Sequence, residues 1–381
     1  MAFTACKHEG GGVSDGGAAF QPSPRPKTQS SAININNLDS DIADAERRAK
    51  KGETFFAQRL PDLLIDRAGY LGTSDDFDTA DETSAKNATT DPNDGGVRLT
   101  RAHVLSALHR FDEALRELDV AAAHGAPGED VARVRGSIFL ATGRCAEAAP
   151  IWPQRAYPTD LAARGALEQR LGHPELAESL FERSRLSFKD VSSFHFGWID
   201  FERARAFERE GDTRRARAYL EDALAAFPEY AHVAVHLAVL EGGDSALAHL
   251  APVEKRATDP DVLAAHADAL RRLKRDVEAN AMTDRARARF EEVLAKHPEA
   301  YADHAARFFL GAGNDVQRAL TLAKGAAASA PTEETLELWL LAAGVAGAAD
   351  QACAAIAAAD KTSCPLRGSR ARFDAARKSC K

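Results

Sequence analysis

A pair of histidines one helical turn apart is the feature of this sequence with the clearest capacity for chemistry. His232 and His236 lie four residues apart in the segment HVAVH. On an α-helix such positions share one face, so the two imidazoles could bind one metal ion. The Glu of the HExxH pattern is absent, so a metal site would need further ligands from neighbouring helices. Candidates for those ligands are His195, Asp200, His266 and Asp268.

A second cluster lies in the segment YADH, where Asp303 and His304 are adjacent. Adjacent residues on a helix point roughly 100° apart, so we expect these two side chains not to pair on one face. For this cluster, and for His232 with His236, the simpler interpretation is a groove or surface residue that hydrogen-bonds to its neighbours. We favour that interpretation over a metal site.

Sequence motifs for covalent or phosphate chemistry are missing. The chain has no GxSxG elbow, no GxxxxGK[ST] loop and no GxGxxG segment following a strand. Its carboxylate pairs, such as Asp75 with Asp76, are not isolated in apolar sequence that would separate their proton affinities. The sequence therefore predicts no catalytic residues, no cofactor and no enzymatic activity.

Aromatic residues are scarce, at 7% of the chain, yet several fall within one predicted helix. Phe194, Trp198 and Phe201 follow one another at spacings of 4 and 3 and so form one stripe. Core packing is the favoured interpretation. The alternative is that part of the stripe, flanked by Arg203, contacts a partner as a binding hot spot.

The elements that would position these residues repeat along the chain. Ala80, Ala114 and Ala148 are 34 residues apart, and Ala216 follows two periods later. A Pro lies 12 residues after Ala80 and after Ala216, and Ala319 is followed by Pro in the same way. A small residue lets antiparallel helices approach closely, while Pro ends a helix. Sequence around these anchors also recurs, in 111–115, 143–149, 172–177, 211–216 and 313–320.

With this period and these turn residues, the chain resembles the tetratricopeptide repeat family from about residue 60 to about residue 358. The resemblance implies an all-α fold, a right-handed α-solenoid of stacked antiparallel helix pairs with a concave groove lined by the first helix of each pair. It also implies a protein or peptide partner, without identifying one. We expect buried contacts only between adjacent hairpins, and hence an elongated curved stack.

Composition agrees with this expectation. A chain of 381 residues is long for a single core, and a solenoid avoids that limit. The formal net charge of −8 disfavours a nucleic-acid partner. Arginines cluster between residues 203 and 217, but acidic residues are interleaved with them, so we interpret the run as solvated helix faces.

The first residues, FTAC ending at Cys6, resemble the cleavage site of bacterial lipoproteins. The basic segment and apolar run that should precede such a site are missing here. The Gly-, Ser- and Pro-rich stretch 10–26 would provide a flexible tether. We therefore expect lipidation at Cys6 and a lipid-anchored periplasmic protein. The alternative is a disordered cytoplasmic N-terminus with an exposed thiol.

The other four cysteines favour an oxidising compartment. Cys353 could pair with Cys364 across a short loop, and a Cys364–Cys380 bond is the competing arrangement. Cys145 is expected to be a free, partly buried thiol in an inter-helix turn.

The domain prediction has three parts: a disordered tether at 1–38, a helical solenoid at 39–359 and a basic, cysteine-containing tail at 360–381. Within it we expect a polar helix at 39–51, an amphipathic helix at 54–69, and an acidic helix within 73–96 that could fold back into the groove. No run of 18 apolar residues is present. The sequence thus predicts a non-enzymatic protein-interaction scaffold, with a metal- or small-ligand-binding accessory protein as the alternative.

Overall fold

The computed structural model describes Phe20 and residues 22–24, 27–152, 157–189 and 191–380. Across these ranges the chain forms twenty α-helices and no β-strand. The helices are α1 (Ser31–Ala49), α2 (Thr54–Leu71), α3 (Asp75–Thr90), α4 (Gly95–Ala107), α5 (Phe111–Ala123), α6 (Gly128–Ala141), α7 (Cys145–Ala148), α8 (Pro158–Leu171), α9 (Pro174–Ser187), α10 (Ser193–Glu210), α11 (Thr213–Ala226), α12 (Ala231–Glu241), α13 (Gly243–Leu250), α14 (Pro260–Arg272), α15 (Asp276–Lys296), α16 (Pro298–Leu310), α17 (Val316–Ser329), α18 (Glu333–Val345), α19 (Ala349–Ala359) and α20 (Arg370–Arg377).

Consecutive helices pack as pairs, from α2 with α3 to α18 with α19. The repeat alanines explain this pairing, because Ala80, Ala114, Ala148, Ala216 and Ala319 are all 0% exposed between helices. Gly211 ends α10 with a φ of 75°, a left-handed conformation that Gly adopts without strain. The predicted fold class, an all-α solenoid of stacked helix pairs, is confirmed.

Side-chain caps fix where several helices begin. Asp94, Asp212 and Asp315 each accept a hydrogen bond from the backbone N–H three residues later. Thr332 and Thr335 form a capping box at the start of α18. These caps satisfy N–H groups that the first turn of a helix leaves without partners.

The expectation that buried contacts occur only between adjacent hairpins is wrong. The Gly72 carbonyl accepts hydrogen bonds from the backbone N–H groups of Thr258, at 2.8 Å, and Asp259, at 2.9 Å. Ser329 donates to the carbonyl of His109, 220 residues earlier in the chain. A winding is one full turn of the solenoid. We call the surface where turns within 72–143 of the first winding contact loops within 258–363 of the second winding the seam. The solenoid therefore closes on itself.

Close backbone approach at the seam explains one glycine. A Cβ on Gly143, which has a φ of 69°, would lie 2.4 Å from the Pro331 carbonyl oxygen. Any other residue there would push the two windings apart. The same turn contacts Ser363, whose hydroxyl donates to the Gly143 carbonyl.

The N-terminal boundary differs from the prediction. Helix α1 begins at Ser31, so residues 31–38 are helical rather than a tether, and the predicted helix at 39–51 starts earlier than expected. Tertiary contact explains the earlier start, because Asn34 donates a 2.9 Å hydrogen bond to Ser193 at the start of α10. Residues 1–19, including the predicted lipidation site Cys6, lie outside the described residues.

Both cysteine expectations are wrong. Cys145 pairs with Cys364, and Cys353 pairs with Cys380. The seam explains the first bond, because it brings the turn before α7 against the loop after α19. The segment 360–381 is also more than a tail, since Phe373 of α20 is 0% exposed in the apolar cluster of α18 and α19.

The acidic segment forms α3 and pairs with α2. Its carboxylates contact the second winding: Asp78 accepts from Lys296 at 2.6 Å, and Asp75 pairs with Arg289. It therefore contributes to the seam and does not fill a groove. Among the described helices, none combines the length and apolar composition needed to cross a membrane.

Candidate functional site

First helices from distant pairs bring ionisable side chains to a common interior. Arg170 of α8 and Arg209 of α10 both contact Glu334 of α18, although α18 lies four pairs after α10 in the chain. First helices that are one winding apart therefore lie close together at this point. We call the side chains at this interior the inner cluster: Arg170, Arg205, Glu208, Arg209, His232, His236, Asp261, Asp303, His304 and Glu334.

Glu334 is the anion at one end of the inner cluster. Its carboxylate lies 3.5 Å from Nη2 of Arg170 and 3.5 Å from Nη1 of Arg209. Both arginines lie in the last turn of a helix and Glu334 lies in the first, so each charge also complements a helix dipole. Burial opposes ionisation, but Arg170 and Arg209 outweigh it and hold the pKa of Glu334 well below its usual range.

His304 lies between two carboxylates. Its Nδ1 hydrogen-bonds to Asp261 of α14, and its Nε2 lies 3.7 Å from Asp303. Burial disfavours the imidazolium, but Asp261 and Asp303 together raise the pKa of His304 to about 10. The expectation that Asp303 and His304 do not pair is therefore wrong. Because Nδ1 is hydrogen-bonded and the ring is charged, His304 is a cation at neutral pH and does not act as a base.

His232 and His236 have different environments. Nδ1 of His236 lies 2.9 Å from a carboxylate oxygen of Glu208. The ring of His232 lies nearly parallel to that of Phe201, with centroids 6.3 Å apart. Burial, reinforced by the charge of His304, lowers the pKa of His232 to about 4. At neutral pH His232 is therefore an uncharged imidazole.

The four other proposed metal ligands lie in separate surroundings. The His195 ring stacks on Phe188, Asp200 faces Arg185, His266 contacts Glu254, and Asp268 accepts from Arg271. Within the described ranges no group of three or more His, Cys, Asp or Glu side chains could hold a metal ion. His232 and His236 as metal ligands stay a prediction, which metal analysis of untagged protein against H232A/H236A would decide.

The predicted partner residues are mostly internal. Phe194 stacks on Tyr70 with centroids 4.6 Å apart, and Phe201 lies edge-on to Tyr230 at 5.6 Å. Arg203 is 1% exposed. These three side chains make contacts within the solenoid, and their role in a partner groove stays a prediction. Trp198 is half-buried against the cluster that contains Phe181.

Arg203 belongs to a second set of charges, between α9, α10 and α11, which we call the buried network: Glu178, Glu182, Arg185, Asp200, Arg203 and Asp222. Arg185 and Asp200 are both 0% exposed. Nη2 of Arg185 lies 2.6 Å from Asp222 and 3.5 Å from Asp200. Burial raises the pKa of Asp200 to about 7, and Asp222 adds to the rise while Arg185 opposes it.

Sequence reasoning missed most of the inner cluster. It interpreted the arginines at 203–217 as one set of solvated faces, but the structure divides them by helix. Arg205 and Arg209 lie on the first helix of their pair and face inward, whereas Arg214 is exposed on the second helix, α11. The 34-residue period could have separated these arginines, because it assigns each one to the first or the second helix of its repeat.

No protein-family model and no curated protein matches this sequence. Among solved structures, it is similar to a chain of the APC/C hetero-tetramer Cut9–Hcn1 (13% identity, TM-score 0.41), covering 86% of this chain and 63%, less than two thirds, of that one. It is also similar to the human IFIT1 dimer with m7Gppp-AAAA (13% identity, TM-score 0.46), covering 83% of this chain and 75% of that one.

A further similar structure is a tetratricopeptide repeat protein from Parabacteroides merdae (14% identity, TM-score 0.32), with 81% of this chain and 99% of that chain covered. At these identities and TM-scores, the helix pairs of the chain itself establish the fold. They form an all-α solenoid of stacked helix pairs.

Proposed function

We propose that this protein is a non-enzymatic scaffold that binds an extended segment of a partner protein along its inner cluster. The observation that carries the proposal is that the cluster is internal and still accessible to solvent. The side chains of His236 and His304 are 35% and 37% exposed. A solenoid is stabilised by apolar contacts between neighbouring helices. These ionisable groups are therefore not needed for packing and are available to a ligand.

The charges of the inner cluster define how a partner would bind. The inner cluster contains both cations and anions, so a partner with both charges and exposed backbone polar groups fits better than one of a single sign. Arg307 lies on α16, one turn after Asp303 of the inner cluster. It is exposed, so its charge is available for the first contact with a partner. Binding should weaken as ionic strength rises, because these charges are partly solvated.

We also propose that the protein functions in the bacterial periplasm, attached to the membrane by a lipid on Cys6. The two disulfides support an oxidising compartment, since such bonds rarely persist in a reducing cytoplasm. Mass spectrometry of membrane-extracted protein should find acylated Cys6, and C6S should move the protein to the soluble fraction. Unmodified Cys6 in soluble native protein would contradict the anchor.

Crosslinking tests where the partner binds. A photoreactive amino acid at position 307 should capture a discrete protein in native extract, and one at position 214 on the outer α11 should not. With the captured partner purified, R307E should weaken binding by about tenfold or more, because it reverses a contacting charge. R214E is the matched control and should leave the affinity within about twofold. Equal capture at both positions, or equal affinities, would place the partner elsewhere.

A further inference from the structure

The two disulfides differ in how far solvent reaches them. Cys145 is 0% exposed and Cys364 is 7% exposed, so their bond is enclosed by the seam. Cys353 and Cys380 are both half-buried, at the end of the solenoid. A dissolved thiol can reach the second bond more readily than the first, and access is one determinant of the rate of thiol–disulfide exchange.

The accessible bond holds a helix that cannot stand alone. Helix α20 has eight residues, too few for a stable helix in water. Its start is held by Glu333, whose Oε1 accepts from the backbone N–H of Ser369 at 2.7 Å. Its middle is held by Phe373, and just beyond its end lies Cys380, which is bonded to Cys353 of α19.

We propose that the Cys353–Cys380 bond is a reducible latch that keeps α20 closed over the apolar end of the solenoid, and that a dithiol reductant opens it while Cys145–Cys364 stays intact. In the closed form Phe373 covers apolar side chains of α18 and α19, including Leu336 and Ile356. In the open form these side chains become accessible. The remaining ties to α20 include surface ion pairs such as Arg372 with Glu337, which contribute little.

The opening step is an ordinary exchange. A thiolate of the dithiol attacks one sulfur of the bond, the S–S bond breaks, and the other cysteine leaves as a thiolate and takes up a proton. The second thiol of the reductant then attacks the mixed disulfide and releases the first cysteine. Two electrons pass to the protein, which gains two thiols, and the reductant becomes a cyclic disulfide.

Graded reduction tests the order of opening. The native protein is incubated with increasing dithiothreitol, quenched with an alkylating reagent and analysed by peptide mass spectrometry. Cys353 and Cys380 should be alkylated together at a dithiothreitol concentration about tenfold or more below that needed for Cys145 and Cys364. Simultaneous modification of all four cysteines, or earlier modification of Cys145 and Cys364, would overturn the proposal.

Hydrogen exchange tests the consequence. At the selective dithiothreitol concentration, peptides covering α20 should lose protection while those covering α8 and α10 keep it. Unchanged protection of α20 after Cys353 and Cys380 are reduced would show that the bond is not a latch. The variant C353S/C380S should show the open pattern without reductant. The matched control C145S/C364S should still lose α20 protection when dithiothreitol is added.

Discussion

The inner cluster and the buried network are built from the same residue types and lie on opposite sides of α10. In the inner cluster, Glu334 is 24% exposed, and its carboxylate lies 3.5 Å from the guanidinium groups of Arg170 and Arg209. In the buried network, Arg185 and Asp200 are 0% exposed. The pKa of Glu334 is lowered by its arginines, whereas the pKa of Asp200 is raised to about 7 by burial.

The difference shows that burial decides what an ion pair does in this solenoid. The ion pairs of the inner cluster are partly exposed, from 11% for Arg209 to 37% for His304, so they can separate and contact a ligand at smaller cost. Arg185 and Asp200, at the centre of the buried network, have no such alternative, because both side chains are 0% exposed. This contrast supports the proposal that the inner cluster binds the partner and that the buried network stabilises the fold. Five variants test this division.

The largest effect should come from C145S/C364S. The disulfide closes a loop of 219 residues at the seam, and its removal should lower the free energy of unfolding by up to about 5 kcal/mol in the chain-entropy account. Denaturant titration measures this loss. Hydrogen exchange should rise near Glu334, which depends on the seam, and stay low around Arg185. Equal increases in both regions would contradict the independence of the two sets of charges.

R185M should lower the free energy of unfolding by about 3 kcal/mol, because it removes a guanidinium that is 0% exposed and leaves Asp222, 2.6 Å away, and the partly ionised Asp200 without their cation. R170M, the matched change in the inner cluster, should cost about 1 kcal/mol or less. Urea titrations of both variants give the comparison. Similar losses would show that burial does not separate the two regions.

D200N should change how stability depends on pH. The pKa of Asp200 is raised in the folded protein from 3.8 to about 7, so the folded state keeps a proton that the unfolded state loses. Stability therefore falls as pH rises between these values and then levels off. D200N removes this loss, and at pH 8 we expect it to stabilise the protein by roughly 1 to 3 kcal/mol. Urea titrations at pH 5 and pH 8 measure it; a variant less stable than the wild type at pH 8 would contradict the assignment.

E334Q should have the smallest effect, about 1 kcal/mol or less at neutral pH. The pKa of Glu334 is lowered in the folded state, so its contribution is present above the unfolded pKa and is lost as pH falls further. The difference between wild type and E334Q should therefore shrink as pH falls from 7 to 3. Thermal unfolding from pH 3 to pH 7 measures it, and a difference that grows toward acid would show that the pKa is not lowered.

Local pattern predicted the repeats well, because the forces that form them act over short stretches of chain. Ala80 and Ala216 mark the close approach of two adjacent helices, and Gly211 marks the turn between them. The acidic helix α3 could be recognised for the same reason. Its partners Arg289 and Lys296 could not, because they belong to the next winding.

The candidate site was only partly predictable. The sequence indicated His232 and His236 as one face of a helix, which is local information. It did not indicate that Glu208 hydrogen-bonds to His236 or that Asp261 pairs with His304, since each partner lies on another helix. The expectation for Asp303 and His304 was wrong because it considered only the directions in which the two side chains leave the helix and not how far they reach.

The sequence alone determined the helix pairs, their 34-residue period and the alanines between them, because these depend on side-chain size and turn conformation within a few dozen residues. Only the tertiary structure decided that the solenoid closes on itself at Gly72 and Gly143, that Cys145 bonds to Cys364, and that Arg209 meets Glu334. Small rotations between neighbouring pairs accumulate along a solenoid. The residues that meet one winding later are therefore set by the sum of many weak packing preferences, and no local motif records that sum.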